Sequence, residues 1–375
     1  MFMNFVFACG GTGGHINPAL AIAGELHRRH PGAVIRFIGN GSGMESRLVP
    51  EAGYEFVPIQ VEGLRRSLSP RSVAHNLSAV RKAATASRRC RELLQQWKPD
   101  AVVGTGGYVS GPVLRAAHQC GFKTAAHEQN AYPGIATKML ASYVDVVLLA
   151  MPKAQEYLPR GGHYVVTGNP VRAAIAQADR QAARRAFGMD HRPMILSFGG
   201  SLGARRINET VADLIGDHCA GAAVYHYHAM GRDGARWMPA LLEEKGICLA
   251  DYPQLRVSEY IHDMDACLAA ADLVICRAGA TTLSELEVMG RASILIPSPN
   301  VTENHQFHNA MTLAERGAAV VIEEKELTSQ RLIDEVRRLL KTPDALQRMA
   351  QAARQGALCN ASALICDQIE ALMGR

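Results

Sequence analysis

The sequence predicts an α/β protein built from two parallel-sheet domains that face each other across a cleft. Three observations carry that prediction. Short apolar runs of strand character alternate with helical stretches along the whole chain, the pattern of helices laid on both faces of a parallel sheet. A glycine-rich turn occurs twice, at Gly10-Gly11-Thr12-Gly13-Gly14-His15 and at Gly199-Gly200-Ser201-Leu202-Gly203-Ala204, its first glycines 189 positions apart. The length, 375 residues, accommodates two domains of ordinary size.

Taken in order, the apolar runs predict strands at residues 4–9, 34–39, 54–59, 101–104, 124–127, 144–150 and 163–167 in the first half. In the second half they fall at 194–198, 223–230, 255–260, 273–276, 293–297 and 319–322. Helices are expected at 19–27 after the first glycine turn and at 204–215 after the second. Each turn then aims backbone N–H groups and the positive end of a helix dipole at one spot, which suits an anion. The alanine-rich stretch 173–187 reads as a connecting helix, so the domains are placed at 1–172 and 173–355. A last helix, about 356–375, puts Leu358, Leu364, Ile365, Ile369 and Leu372 on one face and is expected to pack back onto the first domain.

Composition narrows the class. With 48% apolar and 20% charged residues the chain is globular. It has no run of 18 apolar residues, so no membrane-spanning helix is expected. The start, Met1 to Cys9, lacks a basic region and leads into glycines, reading as a strand rather than a signal peptide. Nine cysteines without a C-x-x-C pair argue for reduced thiols in the cytoplasm and against a zinc ribbon. A net charge of +5 is too small to indicate nucleic-acid binding.

The charge is nevertheless uneven. Residues 63–91 carry eight basic side chains and no acidic one. Within them, Arg65, Arg66, Arg81 and Lys82 flank an apolar set of Leu64, Val73, Leu77 and Val80. That is the composition of a segment lying on an anionic membrane surface. On composition alone, an ordinary solvated helix with its leucines facing the core is the favoured reading.

The glycine turns exclude the commonest nucleotide binders. A dinucleotide fingerprint needs G-x-G-x-x-G, and the frame from Gly11 gives Gly13 and then Ile16; the second turn fails as well. No G-x-x-x-x-G-K-[ST] occurs, which argues against a P-loop ATPase. Asp263-Met264-Asp265 has the D-x-D form of some metal–nucleotide sites. Its place before a helical run reads better as a helix start, where acidic residues complement the dipole, so no metal is expected. His305 and His308 lack a carboxylate pattern that would make them ligands.

Further polar clusters follow strand-like runs, where parallel sheets bind ligands. They are Gly106-Gly107-Tyr108, His127-Glu128-Gln129-Asn130, Arg277-Ala278-Gly279-Ala280-Thr281-Thr282-Leu283-Ser284-Glu285 and Asn304-His305-Gln306. With the two glycine turns, Gly168-Asn169-Pro170-Val171-Arg172 and Tyr260-Ile261-His262-Asp263-Met264, they resemble the glycosyltransferase-B superfamily. Within it, the chain is similar to the lipid-linked N-acetylglucosaminyltransferases over nearly its whole length. The resemblance implies two Rossmann-like domains of glycosyltransferase-B type. It also implies transfer of N-acetylglucosamine from UDP-GlcNAc to the C4 hydroxyl of undecaprenyl-diphosphoryl-muramyl-pentapeptide. This step, lipid I to lipid II in peptidoglycan synthesis, proceeds with inversion and without a cofactor.

Residue roles follow from the same resemblance. Ile261 would meet the uracil through its backbone, and Glu285 would accept from the ribose hydroxyls. Ser201 and the amides around it would hold the diphosphate, with Ala280, Thr281, Thr282, Leu283 and Ser284 nearby. Gln306 would bind sugar hydroxyls and Arg172 would reach the nucleotide. Thr12, Gly13, Gly14 and Asn130 would face the transferred sugar, and Gly106, Gly107 and Tyr108 would take the acceptor. His15, beside a glycine turn facing the cleft, is the candidate general base, with a phosphate or sugar contact as its other reading and Glu128 as its rival. The loop from Asn40 to Glu45 has no assignable role. A lipid-linked acceptor implies a peripheral enzyme on the cytoplasmic face of the membrane, docked through residues 63–91, alongside cell-wall synthesis and division proteins. The alternatives are a glycolipid synthase or UDP-GlcNAc 2-epimerase, or an inactive UDP-sugar-binding protein.

Overall fold

The computed structural model describes residues 3–61, 85–221, 224–342 and 344–374. They fall into two compact units: Met1–Pro170 together with Asn360–Arg375, and Val171–Cys359. Arg172 therefore belongs to the second unit. The segment 62–84, which carries most of the predicted membrane patch (Leu64, Arg65, Arg66, Val73, Leu77, Val80, Arg81, Lys82), lies outside the described residues.

The first unit is built on a seven-stranded parallel sheet: β1 (Asn4–Ala8), β2 (Val34–Asn40), β3 (Glu55–Ile59), β4 (Ala101–Gly104), β5 (Lys123–Glu128), β6 (Val146–Leu149) and β7 (Tyr164–Val166). Their order is β3-β2-β1-β4-β5-β6-β7. Alternation in β1 serves two cores: Phe5 and Phe7 enter the cluster on one face, Val6 and Ala8 the cluster on the other. Helix Ala361–Leu372 closes the first of these with Ile365, Cys366 and Ile369. It is pinned by Arg29, which reaches Asp367 at 2.6 Å and Glu370 at 3.0 Å.

The second unit holds a six-stranded parallel sheet: β8 (Met194–Phe198), β9 (Tyr225–Ala229), β10 (Leu255–Ser258), β11 (Leu273–Cys276), β12 (Ala292–Leu295) and β13 (Ala319–Val321). The order is β10-β9-β8-β11-β12-β13. Ile195, Ile275 and Ile294 line one face beneath the helices Arg205–Cys219 and Ser329–Lys341.

Both sheets reverse direction of growth at one place, between β1 and β4 and between β8 and β11. Chain connections leave such a switch point to opposite sides, so a crevice opens beyond the carboxyl ends of the two strands. Each glycine turn follows the first strand of its pair.

Two local expectations change. Residues 173–187 form two short helices, Ala173–Gln177 and Arg180–Ala186, rather than one. Asp179 stops the run by accepting the Ala182 N–H with its side chain, an N-cap that starts a new helix. The helix after the first turn begins at Gly13 instead of Ala19. Pro18, the sixth residue of the helix, has no N–H to offer the Gly14 carbonyl, yet the helix runs on through it. His15 is thereby carried in a helix's first turn.

Candidate active site

In the first unit the turn after β1 meets the loop after β4. Gly106 and Gly107 both have left-handed backbone, with φ of +107° and +77°. A Cβ on Gly107 would lie 2.3 Å from the Gly10 carbonyl, and one on Gly106 would lie 2.6 Å from His15 Nδ1. Glycine is thus required for the two loops to touch. Ser110 binds the loop in place: its Oγ accepts from Gly106 N at 3.0 Å and lies 2.9 Å from the Ala8 carbonyl. Tyr108 is exposed, with its hydroxyl 3.4 Å from Asn40 Nδ2.

Glu45, fully buried, explains the Asn40–Glu45 loop. Its carboxylate accepts the Asn40 N–H at 3.0 Å and the Gly11 N–H at 3.2 Å, so it fastens the end of β2 to the glycine turn. No sequence motif announces it; a lone acidic residue two positions after a glycine reads as surface.

Of the two candidate bases, the structure separates one from the other. The buried Glu128 carboxylate is committed to its own loop. Oε1 accepts from Asn130 N and Nδ2, both at 3.0 Å, and Oε2 accepts from Gly134 N at 3.1 Å and Thr137 Oγ1 at 2.5 Å. Four donors on two oxygens make it a loop brace. The same bonds tie Asn130, predicted to face the sugar, to Glu128. His15 is only partly buried, and its Nδ1 lies 3.1 Å from Gln129 Oε1. Thr12, Gly13 and Gly14 occupy the same helix start.

In the second unit the turn after β8 meets the loop after β11. The turn is set by backbone against backbone. Gly200, Ser201 and Leu202 carbonyls accept from Gly203, Arg232 and Asp233 N–H at 2.9, 3.1 and 3.0 Å. Gly203 has φ +87°, and a Cβ there would stand 2.2 Å from the Met230 carbonyl. The 15-residue helix Arg205–Cys219 starts directly behind, directing its N-terminal amides toward the turn.

Beside the turn lies a pocket of about 720 Å³ whose walls include Gly199, Gly200, Arg277, Thr282, Ser298 and Gln306. It unites residues predicted separately as diphosphate and sugar contacts. Gln306 Oε1 accepts the Ser298 N–H at 2.9 Å. Arg277, which sequence reasoning gave no role, donates to the Ile296 and Pro297 carbonyls at 3.1 and 3.2 Å and pairs with Glu324. One guanidinium thus joins the chain beyond the ends of β11, β12 and β13.

One turn of helix beyond Thr281 and Thr282, Glu285 is buried and Arg172 approaches its Oε1 at 3.3 Å. Burial raises the Glu285 pKa above the usual carboxylate range, and Arg172 opposes that rise. Ala280, Leu283 and Ser284 are buried in the same helix, and Ile261 is buried just after β10. Asp263 is the N-cap of helix Met264–Ala270, and Asp265 lies in its first turn. Among the described residues no His, Cys, Asp and Glu side chains gather as a metal site.

Two parallel sheets, each with a glycine turn and a polar loop at its switch point, define a glycosyltransferase of the two-domain B type. The chain belongs to glycosyltransferase family 28. The family's N-terminal domain model matches residues 5–149 and its C-terminal domain model residues 194–365. A relative in Acetivibrio thermocellus is 42% identical over 375 residues, covering 99% of this chain and 98% of its own. It is named UDP-N-acetylglucosamine--N-acetylmuramyl-(pentapeptide) pyrophosphoryl-undecaprenol N-acetylglucosamine transferase. One in Desulforudis audaxviator carries the same name at 42% identity, covering 100% of this chain and 99% of its own. Among solved structures, Acinetobacter baumannii MurG matches with a TM-score of 0.79 and 31% identity, over 98% of this chain and 99% of that one.

Proposed function

We propose that this chain transfers N-acetylglucosamine from UDP-GlcNAc to the C4 hydroxyl of a muramyl-pentapeptide carried on undecaprenyl diphosphate. The observation that carries this reading is the identity of about two residues in five, end to end, with relatives named for that reaction. The pocket of the second unit supports it. Its glycine turn and helix start suit a diphosphate, and Thr282 and Gln306 stand beside them. Glu285, on the same helix as Thr282 but not in the pocket wall, is the carboxylate proposed for the ribose.

The reaction is a single displacement. As the acceptor oxygen bonds to the anomeric carbon, the bond from that carbon to UDP breaks, and the configuration inverts. The C4 proton passes to His15 and from there to water. Negative charge growing on the leaving diphosphate meets the amides of the second turn, so the reading asks for no metal or other cofactor.

A lipid-linked acceptor places the enzyme at a membrane surface. No helix among the described residues is long and apolar enough to cross a membrane. Residues 63–91 are the proposed docking segment, and cell-wall synthesis and division proteins are the proposed neighbours. Replacing Arg81, Lys82, Arg88 and Arg89 with Ser should weaken binding to anionic vesicles, most at low salt. Unchanged binding removes the segment from the proposal.

The decisive experiment supplies UDP-GlcNAc with a short-chain muramyl-pentapeptide lipid and looks for the disaccharide. Product formation is the expected outcome. UDP binding without product points to an inactive sugar-nucleotide binder, and epimerised UDP-sugar without acceptor points to an epimerase.

A further inference from the structure

Behind His15 runs a chain of hydrogen bonds whose polarity is fixed at its far end. His127, almost fully buried, places Nε2 3.0 Å from the Gly168 carbonyl. A carbonyl only accepts, so His127 Nε2 carries a hydrogen. Burial pushes the His127 pKa below the usual range, opposed by the bond to Gly168, so the ring is neutral and Nδ1 holds a lone pair. Gln129 Nε2 meets that lone pair at 2.9 Å.

The Gln129 amide has one consistent orientation. Nε2 also faces the Thr105 carbonyl at 2.8 Å and the His127 carbonyl at 3.2 Å. Turned over, the amide would set its oxygen against two carbonyls and a nitrogen lone pair. The oxygen is therefore the atom presented to His15 Nδ1, at 3.1 Å. An amide oxygen accepts, so Nδ1 must donate. Thr105 Oγ1 holds the His15 carbonyl at 2.8 Å, and Gly106 gives the ring room that any Cβ would remove. The nearby carboxylates are engaged elsewhere, Glu128 in its own loop and Glu45 on the Asn40 and Gly11 amides.

We propose that Gln129, oriented by His127, is a positioning residue that keeps the His15 proton on Nδ1 and so makes Nε2 the atom that receives the acceptor's proton. The inference rests on His15 serving as base in the transfer proposed above. It concerns the resting protein, however, and can be read without turnover. Imidazole in water favours the opposite tautomer, so the enzyme must impose this one, as a buried orienting group does in hydrolase triads.

The test is nitrogen-15 NMR of the full chain labelled at histidine, with His15 assigned by comparison with His15→Ala. At a pH where His15 is neutral, the parent should show the Nδ1–H pattern. The opposite pattern in the parent overturns the proposal and leaves the functional reading untouched. Gln129→Leu should shift His15 toward Nε2–H and lower kcat about 10- to 100-fold. Its KM for UDP-GlcNAc should change far less than kcat, since the nucleotide contacts are proposed on the other unit. His127→Leu, which frees the Gln129 amide to turn, should act in the same direction with a smaller effect. In a His15→Ala background Gln129→Leu should cost no further activity, since the two act as one unit. A Gln129→Leu protein that keeps the Nδ1–H pattern, or an equal loss in both backgrounds, overturns the assignment.

Discussion

The two glycine turns occupy equivalent places in their sheets, yet they are held by different means. The first is braced by side chains: Glu45 accepts from Gly11 N–H, Ser110 anchors the facing loop, and His15 itself abuts Gly106. The second is braced by main chain, through the carbonyls of Gly200, Ser201 and Leu202 and the packing of Gly203 on Met230. The difference matches what each turn is proposed to present. A turn that offers amides to a diphosphate can work with backbone alone, whereas one that aims an imidazole nitrogen needs side chains around it.

If that contrast is real, the largest effect belongs to the brace of the first turn. Glu45→Ala should leave the Asn40 and Gly11 amides unmatched and open a void among Gly10, Gly39 and Gly43, which Glu45 now fills. A loss of about 2–5 kcal/mol is expected. Denaturation monitored separately for each unit checks it: the first unit should lose stability while the second keeps its own. Equal destabilisation of both would mean that Glu45 does not act locally.

The second unit offers a functional group kept at a cost to stability. Glu285→Gln should raise KM for UDP-GlcNAc about 10- to 100-fold, the range for losing hydrogen bonds to a charged group. It should also stabilise the free protein at neutral pH. With its folded pKa raised, Glu285 contributes stability below its unfolded value near 4.5, and that contribution is lost as pH rises through the folded value. Removing the charge removes this loss, and Arg172, well exposed, remains solvated. Buried His218, His226 and His228, whose pKa values are lowered by burial, act oppositely by weakening the fold as pH falls below about 6.5. The difference in melting temperature between variant and parent cancels them. A difference that does not grow between pH 4.5 and 7 rejects the account.

The sequence revealed the architecture because parallel strands buried on both faces are apolar throughout. Val102 and Val103, or Val274 and Ile275, can be little else. Its errors came where a single residue outweighed a pattern, as Asp179 does by capping inside an alanine run, and at the first helix, which starts at Gly13 and runs through Pro18 where 19–27 was expected. The site was legible wherever glycine and polar residues formed a string, as in both turns and in 277–285. What it missed were residues whose role exists only through partners distant in sequence. Glu45 reaches back 34 positions to Gly11, Gln129 spans 114 to His15, and Arg277 spans 47 to Glu324. The choice between His15 and Glu128 was of the same kind. Glu128 ends β5 while His15 opens the helix after β1, and the four donors around Glu128 come from side chains and loop amides that no motif announces.

The smallest effect is the most direct probe of the second turn. Gly200 has φ +94° and open space around its missing side chain, whereas Gly203, at φ +87°, faces the Met230 carbonyl. Ala at position 203 must displace backbone, so the fold itself should suffer. Ala at position 200 meets nothing; it adds only the strain of an L-residue in that conformation, about 1–2 kcal/mol. If relaxing that strain turns the peptide plane, the amide aimed at the diphosphate moves with it. UDP affinity should then fall roughly 5- to 30-fold, the factor equivalent to that energy. The same amide would meet the charge growing on the leaving diphosphate, so kcat should fall as well, even though His15 is untouched. Isothermal titration with UDP separates the cases. Unchanged affinity in Gly200→Ala would mean that the second turn shapes the pocket without touching the anion, and the division of labour between the two turns would fail on that side.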